Sequence, residues 1–318
     1  MSTAAVTVLV LLMLPLGLLL LSLGVEALRP RPTPPPRLAW PPGLEARYVS
    51  VPGCRLRYVQ TGSGPTLVLL HTLRTQLDLF QKVIPALAER FSVYALDYPG
   101  HGYSDIPPLD YTPRVFVEAV NGFLDALDLK QATLAGISIG GTIALLIASE
   151  HNPRVARVVA VNPYDYAQGT GIRRSSAVAW TIFGLARLPV LGETVMRLRN
   201  FMIERKIFEG GVASPQALPP ALAEELYAVG ARPGHYRAFL SLIREAAGWE
   251  RARAEYPRVS VPVLLVYGEK DWSTPAERQL TARALPNARV ESVPGGNHFL
   301  SLDRPEALIR LLGEFAGA

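Results

Sequence analysis

The chain has 318 residues, of which 49% are hydrophobic and 19% charged, and its 32 basic and 27 acidic residues give a formal net charge of +5. The mean hydropathy of +0.19 is high for a soluble protein, but almost all of the excess comes from the segment Ala4–Val25. The remainder has ordinary soluble composition, which excludes a multi-span membrane protein and a disordered chain. A single cysteine, Cys54, excludes an intrachain disulfide. Because no dense Lys/Arg run is present, nucleic acid is not an expected partner.

The apolar N-terminal segment holds 22 residues without a charge, and 17 of them are Ala, Val, Leu or Met. A hydrocarbon core of about 30 Å requires a span of about 20 apolar residues. Arginines follow the segment (Arg29, Arg31 and Arg37) and none precedes it. We therefore predict that residues 1–28 form a membrane anchor, with the body on the cytoplasmic side. The alternative is a signal segment cleaved after residues 25–27, which would export the body.

A proline-rich linker follows, since residues 29–43 include seven prolines. Proline fixes φ and removes a hydrogen bond donor, so this stretch is expected to be an extended, semi-rigid spacer. A recognition motif for a partner's aromatic groove is the less favoured reading. Residues 44–318 then fit one domain.

Short apolar runs alternate with amphipathic stretches throughout this body. The predicted strands are Arg47–Val51, Arg55–Gln60, Thr66–Leu70, Ser92–Leu96, Ala132–Ala135, Arg157–Val161, Val263–Tyr267 and Arg289–Val293. The predicted helices are Leu77–Glu89, Arg114–Leu127, Thr142–Glu150, Pro275–Ala284 and Pro305–Phe315. Such alternation predicts an α/β fold with a mostly parallel eight-stranded sheet flanked by helices.

The interval at about 165–248 breaks this alternation. It is helical in pattern, rich in aromatic residues and interrupted by prolines, so we predict an inserted helical cap. Four of its aromatic residues are expected first to pack in the core of the cap and second to line a pocket. They are Trp180, Phe183, Phe201 and Phe208.

A candidate nucleophile, Ser138, lies where the fifth strand meets a helix, within Gly136-Ile137-Ser138-Ile139-Gly140. A Gly-x-Ser-x-Gly pattern allows the sharp strand–turn–helix that exposes a serine hydroxyl. The pattern alone is weak, but its position between a β run and a helix strengthens it. Without a base and an acid, Ser138 would be only a turn serine.

A base and an acid follow at two later strand ends, as His298 and Asp271. In the order Ser138…Asp271…His298, the imidazole would take the serine proton, and the carboxylate would hold its tautomer. Asp165 and Asp105 also follow strands and are alternative acids.

Four motifs resemble those of the α/β-hydrolases that carry a helical cap, and the resemblance covers about residues 47–316. The motifs are Gly136–Gly140, Asp97–Ser104, Tyr267–Asp271 and Gly296–Phe299. The family implies hydrolysis of esters, lactones, thioesters or amides. Members that open epoxides or displace halides use an aspartate nucleophile, so Ser138 argues against both reactions.

The loop after the third strand departs from the family pattern. The family usually has His-Gly there, and this chain has His71-Thr72-Leu73-Arg74. The expected oxyanion donors are the amides of Leu73 and Ile139. Alternatively, the Thr72 hydroxyl substitutes for the first amide, or the oxyanion hole is impaired. Arg74 is expected to face outward rather than to pair with an anionic substrate group, but Thr72, Arg74 and Phe299 remain pocket candidates.

The sequence thus predicts a membrane-tethered serine hydrolase that cleaves carboxylic esters through an acyl-enzyme, with lactones and thioesters as further substrates. The anchor and the apolar cap indicate medium-chain or lipid-derived acyl groups. Two alternatives stay open: acyl transfer to peroxide or an alcohol on the same triad, and a ligand-binding protein on a hydrolase scaffold. No cofactor or metal is expected, because no phosphate-binding loop or metal-ligand spacing is present, and no oligomeric state is predicted.

Overall fold

A single eight-stranded sheet organises the body. The computed structural model describes residues 2–40 and 42–317, without the side chains of residues 4–12. The strands are β1 (Arg47–Val51), β2 (Cys54–Thr61), β3 (Thr66–Leu70), β4 (Ser92–Leu96), β5 (Ala132–Ile137), β6 (Val155–Val161), β7 (Val263–Gly268) and β8 (Ala288–Val293). They lie in the order β1-β2-β4-β3-β5-β6-β7-β8. The β1–β2 and β2–β4 pairs are antiparallel and the other pairs are parallel, which confirms the predicted sheet.

Helices cover both faces of this sheet and form the cap. They are α1 (Thr3–Ala27), α2 (Ile84–Leu87), α3 (Pro113–Ala126), α4 (Ile139–Ser149), α5 (Ala177–Ala186), α6 (Leu191–Arg197), α7 (Phe201–Glu209), α8 (Pro220–Val229), α9 (His235–Arg244), α10 (Ala247–Arg251), α11 (Pro275–Ala284), α12 (Leu300–Asp303) and α13 (Pro305–Ala316). Helices α5 to α9 lie within the interval predicted to be the cap.

The continuous apolar runs of the central strands follow from burial on both faces. In β3, Val68 and Leu70 pack into the core layer that contains Phe116 of α3, because alternate side chains point to the same face. Leu67 and Leu69 pack on the other face, in the layer that contains α13. Full burial of such a side chain contributes about 1.5–3 kcal/mol, so both layers stabilise the strand ends that position the site.

The prediction of one continuous helix over residues 77–89 is wrong. The structure has a 3₁₀ turn over Leu77–Phe80 and then only the single turn of α2. Asp78 is the reason, because its carboxylate accepts hydrogen bonds from Arg57 and Gln76 (2.8 and 2.7 Å) and from Trp40 (2.8 Å). These tertiary contacts fix the turn.

The end of the proline-rich segment packs into the body. Leu38 and Trp40 are buried, and the indole of Trp40 donates the hydrogen bond to Asp78 described above. The backbone amide of Leu38 also donates to the carbonyl of Leu44 (2.9 Å). Leu38 and Trp40 are therefore part of the packed body.

The C-terminal end of α1 contacts the cap. Glu26 forms an ion pair with the buried Arg199 (2.8 Å), and Arg29 donates to the hydroxyl of Tyr227 (2.9 Å) and the carbonyl of Arg197 (2.7 Å). Across the residues that the structure describes, no helix is long and apolar enough to cross a membrane. The predicted anchor includes residues 4–12, whose side chains lie outside that description.

Candidate active site

Ser138 lies at a sharp turn between β5 and α4. Its backbone has φ 61° and ψ −120°, a conformation that residues other than glycine rarely adopt. A Cβ on Gly136 would lie 2.1 Å from the carbonyl carbon of Gly140, and one on Gly140 would lie 2.3 Å from the carbonyl oxygen of Leu70. The two glycines of the motif are therefore steric requirements of the turn, which holds Ser138 in a fixed position at the end of the sheet.

His298 and Asp271 form a buried pair beyond the ends of β8 and β7. The imidazole Nδ1 lies 2.5 Å from Asp271 Oδ1, and both side chains are fully buried. Asp271 Oδ2 accepts hydrogen bonds from the amide and the hydroxyl of Ser273 (2.9 and 2.5 Å). Burial by itself would raise the pKa of Asp271, but the contacts with His298 and Ser273 outweigh it and hold the pKa below its ordinary value. The carboxylate therefore stays charged and holds the imidazole by Nδ1.

Two residues that sequence reasoning missed fix this histidine. The ring of Trp272 stacks on His298 at 3.6 Å with an interplanar angle of 12°. The side-chain nitrogen of Asn162 donates to the backbone carbonyl of His298 (2.9 Å). The side-chain oxygen of Asn162 accepts from the backbone amide of Gly268 (2.8 Å). The only signal for Asn162 was its place directly after β6, and Trp272 directly follows the acid. Together they connect the ends of β6, β7 and β8.

The serine and the histidine are not joined by a hydrogen bond in this structure. Ser138 Oγ and His298 Nε2 are both buried atoms, and neither has a partner among the described residues. Catalytic hydrogen bonds are often long or poorly aligned before substrate binds and then tighten. Because β5 to β8 are neighbours in the sheet, both groups lie at the same edge. Proton transfer from the serine to the histidine is therefore compatible with this arrangement.

The alternative acids make other contacts. Asp165 accepts from the hydroxyl of Thr281 (3.0 Å), and burial raises its pKa to about 7. Asp105 accepts from the backbone amide of Arg55 (2.8 Å). Of the three carboxylates that the sequence offered as the acid, Asp271 is the one in contact with His298.

The loop after β3 is held by a buried histidine. His71 Nε2 accepts from the amide of Tyr98 (3.2 Å), so Nδ1 carries the proton and donates to the carbonyl of Thr72 (2.7 Å). Burial lowers the pKa of His71 well below its ordinary value, which keeps it neutral. The hydroxyl of Thr75 donates to the same carbonyl (2.9 Å). This carbonyl is thus fixed, and the peptide that it shares with Leu73 is fixed with it.

Both predicted oxyanion amides are available as donors. No hydrogen bond from the backbone amide of Leu73 is found within the described part of the chain. Ile139 is the first residue of α4, and the first amides of a helix precede its hydrogen-bonded ladder. The arrangement is compatible with two amides stabilising one developing negative charge.

The Thr72 hydroxyl, the alternative donor, is buried and has no hydrogen bond partner among the described residues. We expect Thr72→Val to leave kcat within about threefold of wild type, because two amides already supply the oxyanion donors. Removing an unpartnered buried hydroxyl is also expected to leave the free energy of unfolding unchanged or higher. Steady-state kinetics and urea denaturation check both points, with Thr72→Ser as the control that keeps the hydroxyl. A fall in kcat of about 100-fold or more in the valine variant alone would place the hydroxyl in the oxyanion hole.

An apolar cavity of about 210 Å³ adjoins the loop after β3, and Leu73 and Trp272 line it. Five of the predicted pocket residues line it: Thr72, Arg74, Phe183, Phe208 and Phe299. Trp180 and Phe201 do not line it, since Trp180 is 60% exposed and Phe201 packs on Tyr227. Helix α5 reads Ala-Val-Ala-Trp-Thr-Ile-Phe-Gly-Leu-Ala, and so uniform an apolar sequence does not distinguish the cavity face from the solvent face.

The outward orientation expected for Arg74 is wrong. Arg74 is only 8% exposed, and its guanidinium donates to Glu204 Oε1 of α7 (2.8 Å). It also lies 3.2 Å from His235 Nδ1 and above the ring of Phe239. The backbone of Arg74 has a positive φ of 60°, and its side chain reaches the cap.

No group of three or more His, Cys, Asp or Glu side chains that could hold a metal is found in the described part of the chain.

Comparison with known proteins places this site in a family. The alpha/beta hydrolase family matches residues 67–311. The chain belongs to this family. It is 32% identical over 269 residues to the pimeloyl-[acyl-carrier protein] methyl ester esterase of Chromobacterium violaceum, covering 81% of this chain and 96% of that protein. It is 27% identical over 297 residues to haloalkane dehalogenase 2 of Mycobacterium tuberculosis, covering 86% and 95%.

Among solved structures, the fold of this hydrolase is similar to that of a membrane phospholipase A described as a bacterial virulence factor. The TM-score is 0.69 at 23% identity, and the alignment covers 99% of this chain and 95% of that one. Esterases and dehalogenases therefore both occur among the relatives, so the family alone identifies a hydrolase and not its substrate.

Proposed function

We propose that the protein is a serine hydrolase that cleaves carboxylic esters through an acyl-enzyme on Ser138. The observation that carries this proposal is the buried pair of His298 and Asp271 at 2.5 Å, at the same edge of the sheet as the serine turn. A serine nucleophile forms an ester intermediate that water resolves, whereas the dehalogenase-type reaction that the family includes requires a carboxylate nucleophile. A serine at position 138 therefore favours ester cleavage over dehalogenation.

The proposed reaction has two halves. Ser138 Oγ attacks the ester carbonyl carbon while His298 Nε2 takes its proton, and the amides of Leu73 and Ile139 stabilise the oxyanion. The bond from the carbonyl carbon to the alcohol oxygen breaks, and His298 returns the proton to the leaving alcohol. A water then attacks the acyl-serine with His298 as base, which releases the carboxylic acid and restores the serine.

The apolar cavity supports medium-chain acyl groups as the substrate class. Each buried methylene contributes about 0.8 kcal/mol, so a longer chain gains binding energy until it fills the cavity. A series of p-nitrophenyl esters from acetate to dodecanoate tests this. We expect kcat/KM to rise at least tenfold from acetyl to octanoyl, and a preference for acetyl over octanoyl would contradict it.

The N-terminal segment is proposed to tether the enzyme to a membrane, with the body on the cytoplasmic side. This rests on the uncharged 22-residue segment and on the arginines that follow it. Fractionation of a C-terminally tagged protein is the test. We expect full-length protein in the membrane pellet, and a soluble body shorter by about 27 residues would contradict the tether.

A further inference from the structure

The wall of the cavity contains three charged side chains among mostly apolar ones. These are Arg74, Arg199 and Glu204, and each is less than 10% exposed. Arg74 follows β3, directly after the proposed oxyanion donor Leu73, whereas Glu204 comes from the cap helix α7. Charged groups in an apolar wall are costly unless they are paired, so their pairing determines the charge that a ligand meets.

Both arginines are paired with a carboxylate, although Arg199 shares Glu26 with Arg29, whose Nε lies 3.4 Å from Glu26 Oε2. Arg74 Nη2 and Nε donate to Glu204 Oε1 at 2.8 and 3.3 Å, and Arg199 pairs with Glu26 of α1 at 2.8 Å. His235, at 3.2 Å from Arg74, is buried and stays neutral because burial, together with the neighbouring Arg74, lowers its pKa well below the ordinary value. The pair of Arg74 and Glu204 therefore carries no net charge where it lines the cavity.

Glu204 accepts the hydrogen bonds that Arg74 Nε and Nη2 could otherwise donate to another carboxylate. Its Oε2 is buried and has no hydrogen bond partner among the described residues, so one oxygen carries the pairing. Arg74 is itself confined, because it lies 5.0 Å from the ring centroid of Phe239, and its Nη2 would be only 2.9 Å from a Cβ on Gly230. If the charge of Glu204 were removed, Arg74 would remain at the cavity wall without a counter-ion.

We propose that Glu204 is a specificity-determining residue, an internal carboxylate that neutralises Arg74 and thereby excludes acyl chains that carry an anionic group. The inference rests on the proposed esterase function and names the acyl groups that it accepts. A neutral alkyl chain disturbs no charge in the cavity. A chain that ends in a carboxylate brings a second anion to one guanidinium, and burying an unpaired charge is strongly unfavourable.

The experiment compares two p-nitrophenyl esters of equal length in the full chain: the octanoate, and the monoester of octanedioic acid, which ends in a carboxylate. The measured quantity is the ratio of kcat/KM for the anionic ester to that for the neutral ester. We expect Glu204→Gln to raise this ratio at least tenfold over wild type, mainly through a lower KM for the anionic ester. Glutamine keeps the size of the side chain and removes only its charge.

Two further variants fix the interpretation. Glu193→Gln removes the partner of Arg244 on the cap, and because Glu193 is not one of the residues that line the cavity, its ratio should equal that of wild type. Arg74→Gln leaves Glu204 as an unpaired anion, and the ratio should fall at least threefold. Because the two cavity variants are expected to shift the ratio in opposite directions, a general loss of packing cannot imitate the result.

An unchanged or lower ratio in Glu204→Gln, with octanoate still hydrolysed, would overturn the inference and leave the esterase function intact. If Glu204→Gln hydrolyses neither ester, the arginine variant decides, and an unchanged or higher ratio there would also overturn it. A folded wild-type protein that hydrolyses no ester would instead contradict the proposed function.

Discussion

Replacing Ser138 with alanine is expected to lower kcat for p-nitrophenyl octanoate by about 10⁴–10⁶-fold, as loss of the nucleophile does in serine proteases. Stability should not fall, because Ser138 Oγ has no hydrogen bond partner among the described residues and its removal breaks no hydrogen bond. Steady-state kinetics and thermal unfolding of the same preparation separate the two effects.

Ser149→Ala is a matched control at the other end of α4. Its hydroxyl is buried and donates to the carbonyl of Leu146 (2.7 Å), far from the serine turn in the chain. We expect this variant to keep its activity within about twofold and to lose about 0.5–1.5 kcal/mol of stability with its hydrogen bond. If Ser138→Ala kept more than a tenth of the wild-type kcat, Ser138 would not be the nucleophile.

Asp271→Asn is expected to lower kcat by about 10⁴-fold, the size of the corresponding effect in a serine protease. An asparagine amide facing Nδ1 favours the tautomer with the proton on Nε2, so His298 can no longer accept the proton of Ser138. The pKa of Asp271 lies below its ordinary value, and the wild-type carboxylate therefore stays ionised as the pH falls from 8 to 5. Its titration should add no limb to the pH–rate profile in that range.

Asp165→Asn provides the control for this second prediction. Asp165 is also buried and follows a strand, but it contacts Thr281 rather than a histidine. Its pKa of about 7 means that it is partly protonated at neutral pH, so asparagine is a fair mimic. We expect kcat within about threefold of wild type. A larger loss than in Asp271→Asn would assign the role of the acid to Asp165 instead.

The centre of the sheet was predictable because its central strands are buried on both faces. Thr66–Leu70 and Ser92–Leu96 are continuous apolar runs whose bounds the structure reproduces. The candidate site was predictable for the same reason, since the carboxyl ends of neighbouring parallel strands meet at one edge of the sheet. A serine, an acid and a histidine that follow three such strands are therefore expected at one edge of the sheet, whereas the contact between the serine and the histidine depends on the loops.

The contacts that the sequence did not reveal depend on residues distant in the chain. Arg74 is buried against the cap, where Glu204, 130 residues later, accepts its hydrogen bond. The segment after Leu77 is a 3₁₀ turn because Asp78 bonds to Arg57 and Trp40. The sequence pattern within either segment does not indicate these pairings. The proposed specificity of the cavity depends on the pairing of Arg74 with Glu204.

Labelling with a fluorophosphonate probe tests the central claim most directly, since the probe reacts with an activated serine and reports its position. Intact mass and peptide mapping of the labelled protein give the stoichiometry and the site. We predict one adduct per chain on Ser138 in wild type and none in Ser138→Ala. A folded wild-type protein that takes no label, or an adduct that persists in the alanine variant, would contradict the account.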